Sequence, residues 1–448
     1  QFSSSGRHLR TLNSLTGAVI DEFAYDADQQ LESVTDVYGN VTSIERDAQG
    51  NPKAFVAPKG QRTEVQLDIN GYLSLVTNAA GESVSFEYNP GGLLTKVIRP
   101  DSLFSTYTYD NRGLLLSADD GSGYTTQLER TELSNGFEIK RTSGMGAEFT
   151  YRVERSNNGD ILLSNIDEAG AVTLVTQGVD GTRSVLSPSG ATETQTIGPD
   201  PRLGMRSMGS EAFTITSPGG KSLLVESRRE VELANASDLF SITSITESRK
   251  VGGRTITEVY DAATRTSTVT TPEGRVSTTT RDLFGRVIEI NPGSGLELRT
   301  WSYDPNGLVN RVEQGTHFID FQYDLQGRLA LRTDALGREQ SYSYDVADRL
   351  TSLTTPGSRI YGISYDSMGL MRTITMPNGA VHELDYAPFG GLIAYSPPGA
   401  VAMGQGYDND RRRVSVTLAD GRTQTNTFDS AHRSDQTVYP EATVSYSY

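Results

Sequence analysis

Carboxylates recur along this chain at a fixed interval, and a carboxylate can act as acid, base, nucleophile or cation ligand. Asp26, Asp47, Asp68, Asn89 and Asp110 lie 21 residues apart. A second series runs through Asp261, Asp282, Asp304, Asp324, Asp345, Asp366, Ala387, Asp408 and Asp429, with one interval of 22 followed by one of 20. Paired acids could hydrolyse a glycosidic bond, which needs two carboxyls roughly 5–10 Å apart across the sugar. The pattern points elsewhere. These acids share one register of a repeat, and Gly50, Gly71, Gly92, Gly113, Gly285, Gly307, Gly327 and Gly369 follow three residues after theirs. No pair stands out by spacing or neighbours. Asp or Asn first and Gly fourth is a turn signature: the short side chain accepts backbone N–H groups, and glycine relieves crowding at the exit. "DVAD", "DNDR" and "DSAH" omit the glycine, so the copies need not share one turn type.

The remaining reactive residues build no site. His8, His317, His382 and His432 form no HExxH pair. Alternation around His382 puts His382 and Leu384 on one face and Glu383 and Asp385 on the other. Cysteine is absent, which removes thiolate catalysis, thiolate metal sites and disulfides while leaving the redox compartment open. No GxSxG elbow accompanies the serines, and "DGSGYTT" and "NPGSG" lack the GKS or GKT ending of a phosphate loop. One acid per turn supplies too few oxygens for calcium. No cofactor or metal is expected, and the chain is read as a non-enzyme.

Tyrosine stands before the turn acid at Tyr25, Tyr88, Tyr109, Tyr260, Tyr303, Tyr323, Tyr344, Tyr365 and Tyr407. Periodic placement favours cross-strand aromatic ladders on neighbouring hairpins, each pair contributing about 0.2–1 kcal/mol. Sugar-stacking platforms are the other reading, and Trp301, the single tryptophan, adds none.

These residues need elements to place them. A second turn lies inside each period: "DVYG", "APKG" and "NAAG" early, "TPEG", "DALG" and "MPNG" late. Turns therefore arrive every 10 or 11 residues, leaving six or seven for each strand. "VSFEYN" alternates, and "TSTVTTPEGRVSTTTRD" is rich in β-branched residues. A parallel β-helix and a propeller can also use a period near 20, but two tight turns per period favour antiparallel hairpins. Leucine-rich repeats lack their signature here. Helical periodicity is weak, with "REVELANASDLF" its best instance, and "GPDPRLGM" reads as a rigid crossing or loop because Pro199 and Pro201 donate no ladder bond.

Composition suits a sheet with much of its surface wet. Apolar residues make up 35% of 448, below the roughly 45–50% of globular domains. The net charge of −16 opposes a duplex-binding surface, so no nucleic-acid partner is expected. No run of 18 apolar residues occurs, and hence no membrane span is expected in this piece. The opening "QFSSSGRHLR" lacks an initiator Met and an apolar signal core, consistent with a processed or excised piece.

"YDLQGRL", "DALGREQSYSYD", "YDVADRLTSLTT" and "YDSMGLM" resemble the tyrosine–aspartate repeats of the RHS/YD-repeat family, which includes bacterial RHS-repeat proteins, the C component of insecticidal toxin complexes and the teneurins. "GPDPRLGMRS", "TITSPGGKSLLVESRREVEL" and "GRTITEVYDAATRTSTVTTPEGR" carry the resemblance through the centre. It implies an all-β fold: a spiralling antiparallel sheet of repeated hairpins forming a hollow shell or part of one. Residues 1–117 and 259–448 are read as regular YD-repeat hairpins. Residues 118–258 are read as degenerate repeats or a crossing region of the same shell. The implied function is a non-catalytic shell segment that encloses or scaffolds a polypeptide, such as a toxin or threaded tail. The alternative is an extracellular adhesion or carbohydrate-binding β scaffold. Implied partners are an enclosed or adjacent polypeptide and another shell segment or chain closing the ends; the implied location is secreted or cell-surface. The "DPxGLxGG" motif of toxin-bearing shells is missing, so no autoproteolysis or toxin chemistry is assigned. The closing "VSYSY" alternates like a strand whose open edge needs a cover.

Overall fold

Alternating short polar and large apolar residues give this chain strands with two unlike faces. In Ser83–Tyr88 the residues Val84, Phe86 and Tyr88 share one side, opposite Ser83, Ser85 and Glu87. The computed structural model describes residues 1–429 and 431–447. Ser430 of the "DSAH" turn and Tyr448 at the end of "VSYSY" lie outside the described residues. Among the described residues forty strands run from β1 (Arg10–Leu12) to β40 (Thr443–Ser445), and each pairs antiparallel with the next in sequence. The result is one uninterrupted sheet of hairpins that does not close into a barrel. Among the described residues no helix is long and apolar enough to cross a membrane. "REVELANASDLF" enters β20 (Ser222–Leu233) and the turn after it.

The single slip in the period has a local cause. The loop between β25 (Val287–Asn291) and β26 (Arg299–Tyr303) is long, so that repeat gains a residue. The next loop, between β27 (Val309–Gln314) and β28 (His317–Tyr323), has two residues and pairs Gln314 with His317. Register is thereby restored before the next repeat.

The longest strands lie in the middle of the chain. They are β19 (Gly204–Thr216), β20 and β21 (Ile242–Val251), preceded by the shorter β18 (Thr192–Asp200). "GPDPRLGM" forms the tip of the β18–β19 hairpin rather than a crossing between layers. The ladder jumps from Gly198↔Gly209 to Asp200↔Gly204, so Pro199 sits at the irregularity, where its missing N–H breaks no regular bond.

Little is fully buried. Among the described residues the buried apolar positions are Ala54, Val65, Ala147, Val175, Ile242, Ile245 and Tyr260. Most strand residues are half-buried on both faces, as a single-layer wall requires. Ile242, Ile245 and Tyr260 form a cluster, against which Leu15 packs from the start of the chain. The wall thus returns to touch its own beginning.

Candidate functional site

The hairpin tips form two rims, and their chemistry is built from one repeated turn. At Asp47 the turn closes with Gly50 N–H donating to the Asp47 carbonyl (3.1 Å) and Asp47 N–H to the Asn51 carbonyl (2.9 Å). Asp47 Oδ1 accepts the N–H groups of Gln49 and Asn51, both at 2.9 Å. Gly50 takes φ +84°, the left-handed region open to glycine at little cost. The backbone bonds recur at Asp68, Asn89, Asp110, Asp282, Asp304, Asp324 and Asp366, with left-handed Gly71, Gly92, Gly113, Gly285, Gly307, Gly327 and Gly369. At the "DVAD", "DNDR" and "DSAH" turns, Asp348, Arg411 and His432 take positive φ instead. Asp26 uses Gln29 in the same way. Asp261 differs: its Oδ1 accepts the Thr264 N–H, and Arg265 carries the positive φ. The turns at Asp36 and Asn78, on the opposite rim, use the same bonds.

The tyrosine distinguishes the two rims. Tyr88 Oη donates to the Leu73 carbonyl (2.9 Å), Tyr109 to Leu94 (2.7 Å), Tyr344 to Leu329 (2.9 Å) and Tyr365 to Leu350 (2.9 Å). Tyr303, Tyr323 and Tyr407 donate to Val287, Val309 and Leu392. Each acceptor lies just beyond the preceding turn. Between β7 (Leu73–Thr77) and β8 (Ser83–Tyr88) the ladder spans only Leu75 to Thr77 on β7, and the Tyr88 hydroxyl supplies the donor that Leu73 lacks. Tyr25 reaches the His8 carbonyl similarly, while Tyr260 is buried in the apolar cluster.

These rings do not stack on one another in a ladder. Equivalent tyrosines sit two strands apart, roughly 9.6 Å, beyond aromatic contact. An arginine four residues after the turn acid fills the gap. Arg328 pairs with Asp324 (2.8 Å) and lies over the Tyr344 ring (4.8 Å from its centroid); Arg349 pairs with Asp345 (2.7 Å) and lies over Tyr365 (5.2 Å). Arg286 links Asp282 to Tyr303, and Arg412 links Asp408 to Phe428. Arg433 pairs with Asp429. Reading the sequence by its acids and tyrosines passes over these arginines, although "DLFGR", "DLQGR" and "DVADR" contain them. Burial pushes the Asp345 carboxyl up, but the Arg349 N–H and guanidinium outweigh it, leaving the pKa below the ordinary range. Asp324 is lowered by the same balance, and Asp110 mainly by the Leu114 N–H.

The acid-bearing rim of the later hairpins sits on the opposite rim of the early ones. Asn13 donates to the Phe284 carbonyl (3.2 Å), Lys59 to Asn306 Oδ1 (3.2 Å), and Arg99 to the Pro388 carbonyl (2.8 Å). Arg349 pairs with Glu82 (2.8 Å), Arg411 with Asp120, and Ser143 Oγ donates to Asp410 Oδ2 (2.5 Å). Arg202, in the β18–β19 tip, donates to the Ser14 carbonyl (3.2 Å). From Lys59 to Asn306 and from Asp120 to Arg411 the partners are 247 and 291 residues apart. This seam makes the sheet a coil.

His382 Nδ1 lies 2.6 Å from the Tyr395 hydroxyl, and His432 lies 3.7 Å from Asp410. Among the described residues no three His, Asp or Glu side chains group as a metal site.

The family model described as the teneurin YD-shell matches residues 1–448. Human teneurin-1 is 27% identical over 363 residues, covering 77% of this chain and 12% of its own. Mouse teneurin-4 is 26% identical over 359 residues, covering 76% and 12%. Drosophila melanogaster teneurin-m is 25% identical over 193 residues, covering 42% and 7%. The chain therefore spans about 12% of the length of the first of these relatives. Among solved structures, that of TcdB2-TccC3 aligns with a TM-score of 0.32 at 12% identity, covering 99% of this chain and 34% of that one.

Proposed function

The chain belongs to the teneurin YD-shell family, and from that premise we propose that it is a non-catalytic wall segment that encloses or scaffolds another polypeptide. The observation that supports this most is the return of the sheet over its own start. From Asn13, just before β2 (Val19–Tyr25), to Phe284, just after β24 (Val276–Arg281), the wall passes through 23 strands. At about 4.8 Å per strand one circuit measures roughly 110 Å, a diameter near 35 Å if round. Side chains on one inner face reach only about 5 Å, half the spacing of packed sheets, so a circular coil of that width has room for an extended chain. The turn acids are engaged with backbone N–H groups and, at several repeats, with arginine, which suits structure better than proton transfer.

In this reading, residues 1–117 and 259–448 are regular wall and 118–258 its degenerate middle. The partners are an enclosed or adjacent polypeptide and a further shell segment closing the ends. A secreted or cell-surface location follows by family resemblance. The test is cryo-electron microscopy of the longest natural product containing this segment. Polypeptide density inside the coil, traced to sequence, is the expected result. An interior filled by wall side chains, with no room for a chain, overturns enclosure.

A further inference from the structure

One repeat breaks the acid–arginine–tyrosine pattern where the structure also has a cavity. Asp304 has Leu308 four residues on, where Asp282, Asp324 and Asp345 have Arg286, Arg328 and Arg349. Leu308 packs forward, its Cδ1 3.8 Å from where a Cβ on Gly327 would sit. Asp304 Oδ1 accepts the Leu308 N–H (2.8 Å), but among the described residues no guanidinium pairs with this carboxylate. The Tyr323 ring lacks the cation that Tyr303, Tyr344 and Tyr365 carry, although its hydroxyl bond to Val309 (2.7 Å) is intact. A cavity of about 250 Å³ opens there, lined by Asp304, Asn306, Leu308, Phe321, Tyr323 and, across the seam, Lys59. Lys59 directs its ammonium to Asn306 Oδ1 (3.2 Å), so the carboxylate is not neutralised from that side by a pair within 4 Å. The cavity also coincides with the slip in the repeat, where the tyrosine reaches back 14 residues instead of 15.

We propose that this cavity receives the guanidinium of an arginine on another polypeptide, completing at Asp304 and Tyr323 the stack that neighbouring repeats build internally. A carboxylate at one end and an aromatic face beside it suit a planar, delocalised cation better than an ammonium. The size also suits one side chain rather than a folded surface.

N-acetyl-L-arginine amide is the probe, titrated into the intact protein by calorimetry or NMR alongside its neutral isostere N-acetyl-L-citrulline amide. Saturable binding of the arginine probe with a Kd on the order of millimolar is expected for a single exposed ion pair and stack. Citrulline should bind at least about tenfold more weakly. Asp304→Asn keeps the turn acceptor but removes the charge, and Leu308→Arg fills the cavity from within; each should weaken binding by about the same factor. Asp366→Asn, at the same repeat position and also followed by a leucine, should leave it unchanged. No saturation by the unaltered protein, equal binding of citrulline, or equal losses at Asp366 and Asp304 overturns the proposal. The comparison of the two probes decides even if a variant fails to fold.

Discussion

Both carboxylate oxygens of Asp324 are occupied: Oδ1 accepts the N–H groups of Gln326 (3.0 Å) and Arg328 (2.9 Å), and Oδ2 faces the Arg328 guanidinium at 2.8 Å. Asn at 324 retains the first role and loses the second. Asp324→Asn should therefore cost no more than about 1 kcal/mol, since the pair is partly exposed. Gly327→Val forces a β-branched residue to φ +80°, which costs about 1–2 kcal/mol or more. Paired urea unfolding curves test the order, and a larger loss in the Asn variant refutes it. Tyr344→Phe isolates the hydroxyl bond to Leu329 and leaves the ring beneath Arg328. About 1 kcal/mol should be lost, with faster amide exchange beside Leu329. A change within experimental error would mean that water serves that carbonyl equally well.

A hairpin here has two tips with unlike duties. One carries the tyrosine that ties it to the previous hairpin; the other receives the next coil. Contacts at the seam mix polar bonds with apolar ones, among them Leu15 on the Ile242 cluster and the Tyr38–Phe284 ring pair (5.7 Å), and the coils are held by repetition along the rim. Arg349 shows the coupling, because it bonds its own turn acid Asp345 and, across the seam, Glu82, with about a fifth of each seam side chain exposed. A double-mutant cycle with Arg349→Met and Glu82→Gln should return a coupling of roughly 0.5–1 kcal/mol that shrinks in high salt. Additive losses would show that the pair is a contact without energetic weight. The arginines are legible as letters in "DLFGR", "DLQGR" and "DVADR", but not as a device. Their role depends on the ring of the next repeat and the rim of another coil, neither of which is near in sequence.

At the scale of the whole wall, burial is shallow and many small terms are repeated. Carboxyls at Asp47, Asp110, Asp324, Asp334, Asp345 and Asp429 are all held below their ordinary pKa. A group depressed in the folded state contributes stability above its unfolded pKa, near 3.9, and that contribution fades as pH falls through the folded value. Denaturant midpoints should therefore hold between about pH 7 and 5 and drop below about pH 4. A midpoint unchanged down to pH 3 would deny these acids a collective role. Because adjacent hairpins touch only neighbours and seam partners, the loss should spread along the coil rather than open one domain.

Residue type and spacing alone determined the hairpins. Alternation sets the strands, and an acid first with glycine fourth sets turns 10 or 11 residues apart, both from interactions within a few residues. The antiparallel sheet follows, because tight turns join only antiparallel neighbours. Where Asp304 falls against its arginine-bearing neighbours was visible too, but as a mere exchange of letters. The tertiary structure decided the rest: that the tyrosines serve carbonyls instead of stacking in a ladder, that "GPDPRLGM" is a hairpin tip, and that rims from 247 to 291 residues apart meet. Coil width depends on small twists accumulated over more than twenty strands. An error of a few degrees per strand, invisible in any single repeat, would bring different turns into contact.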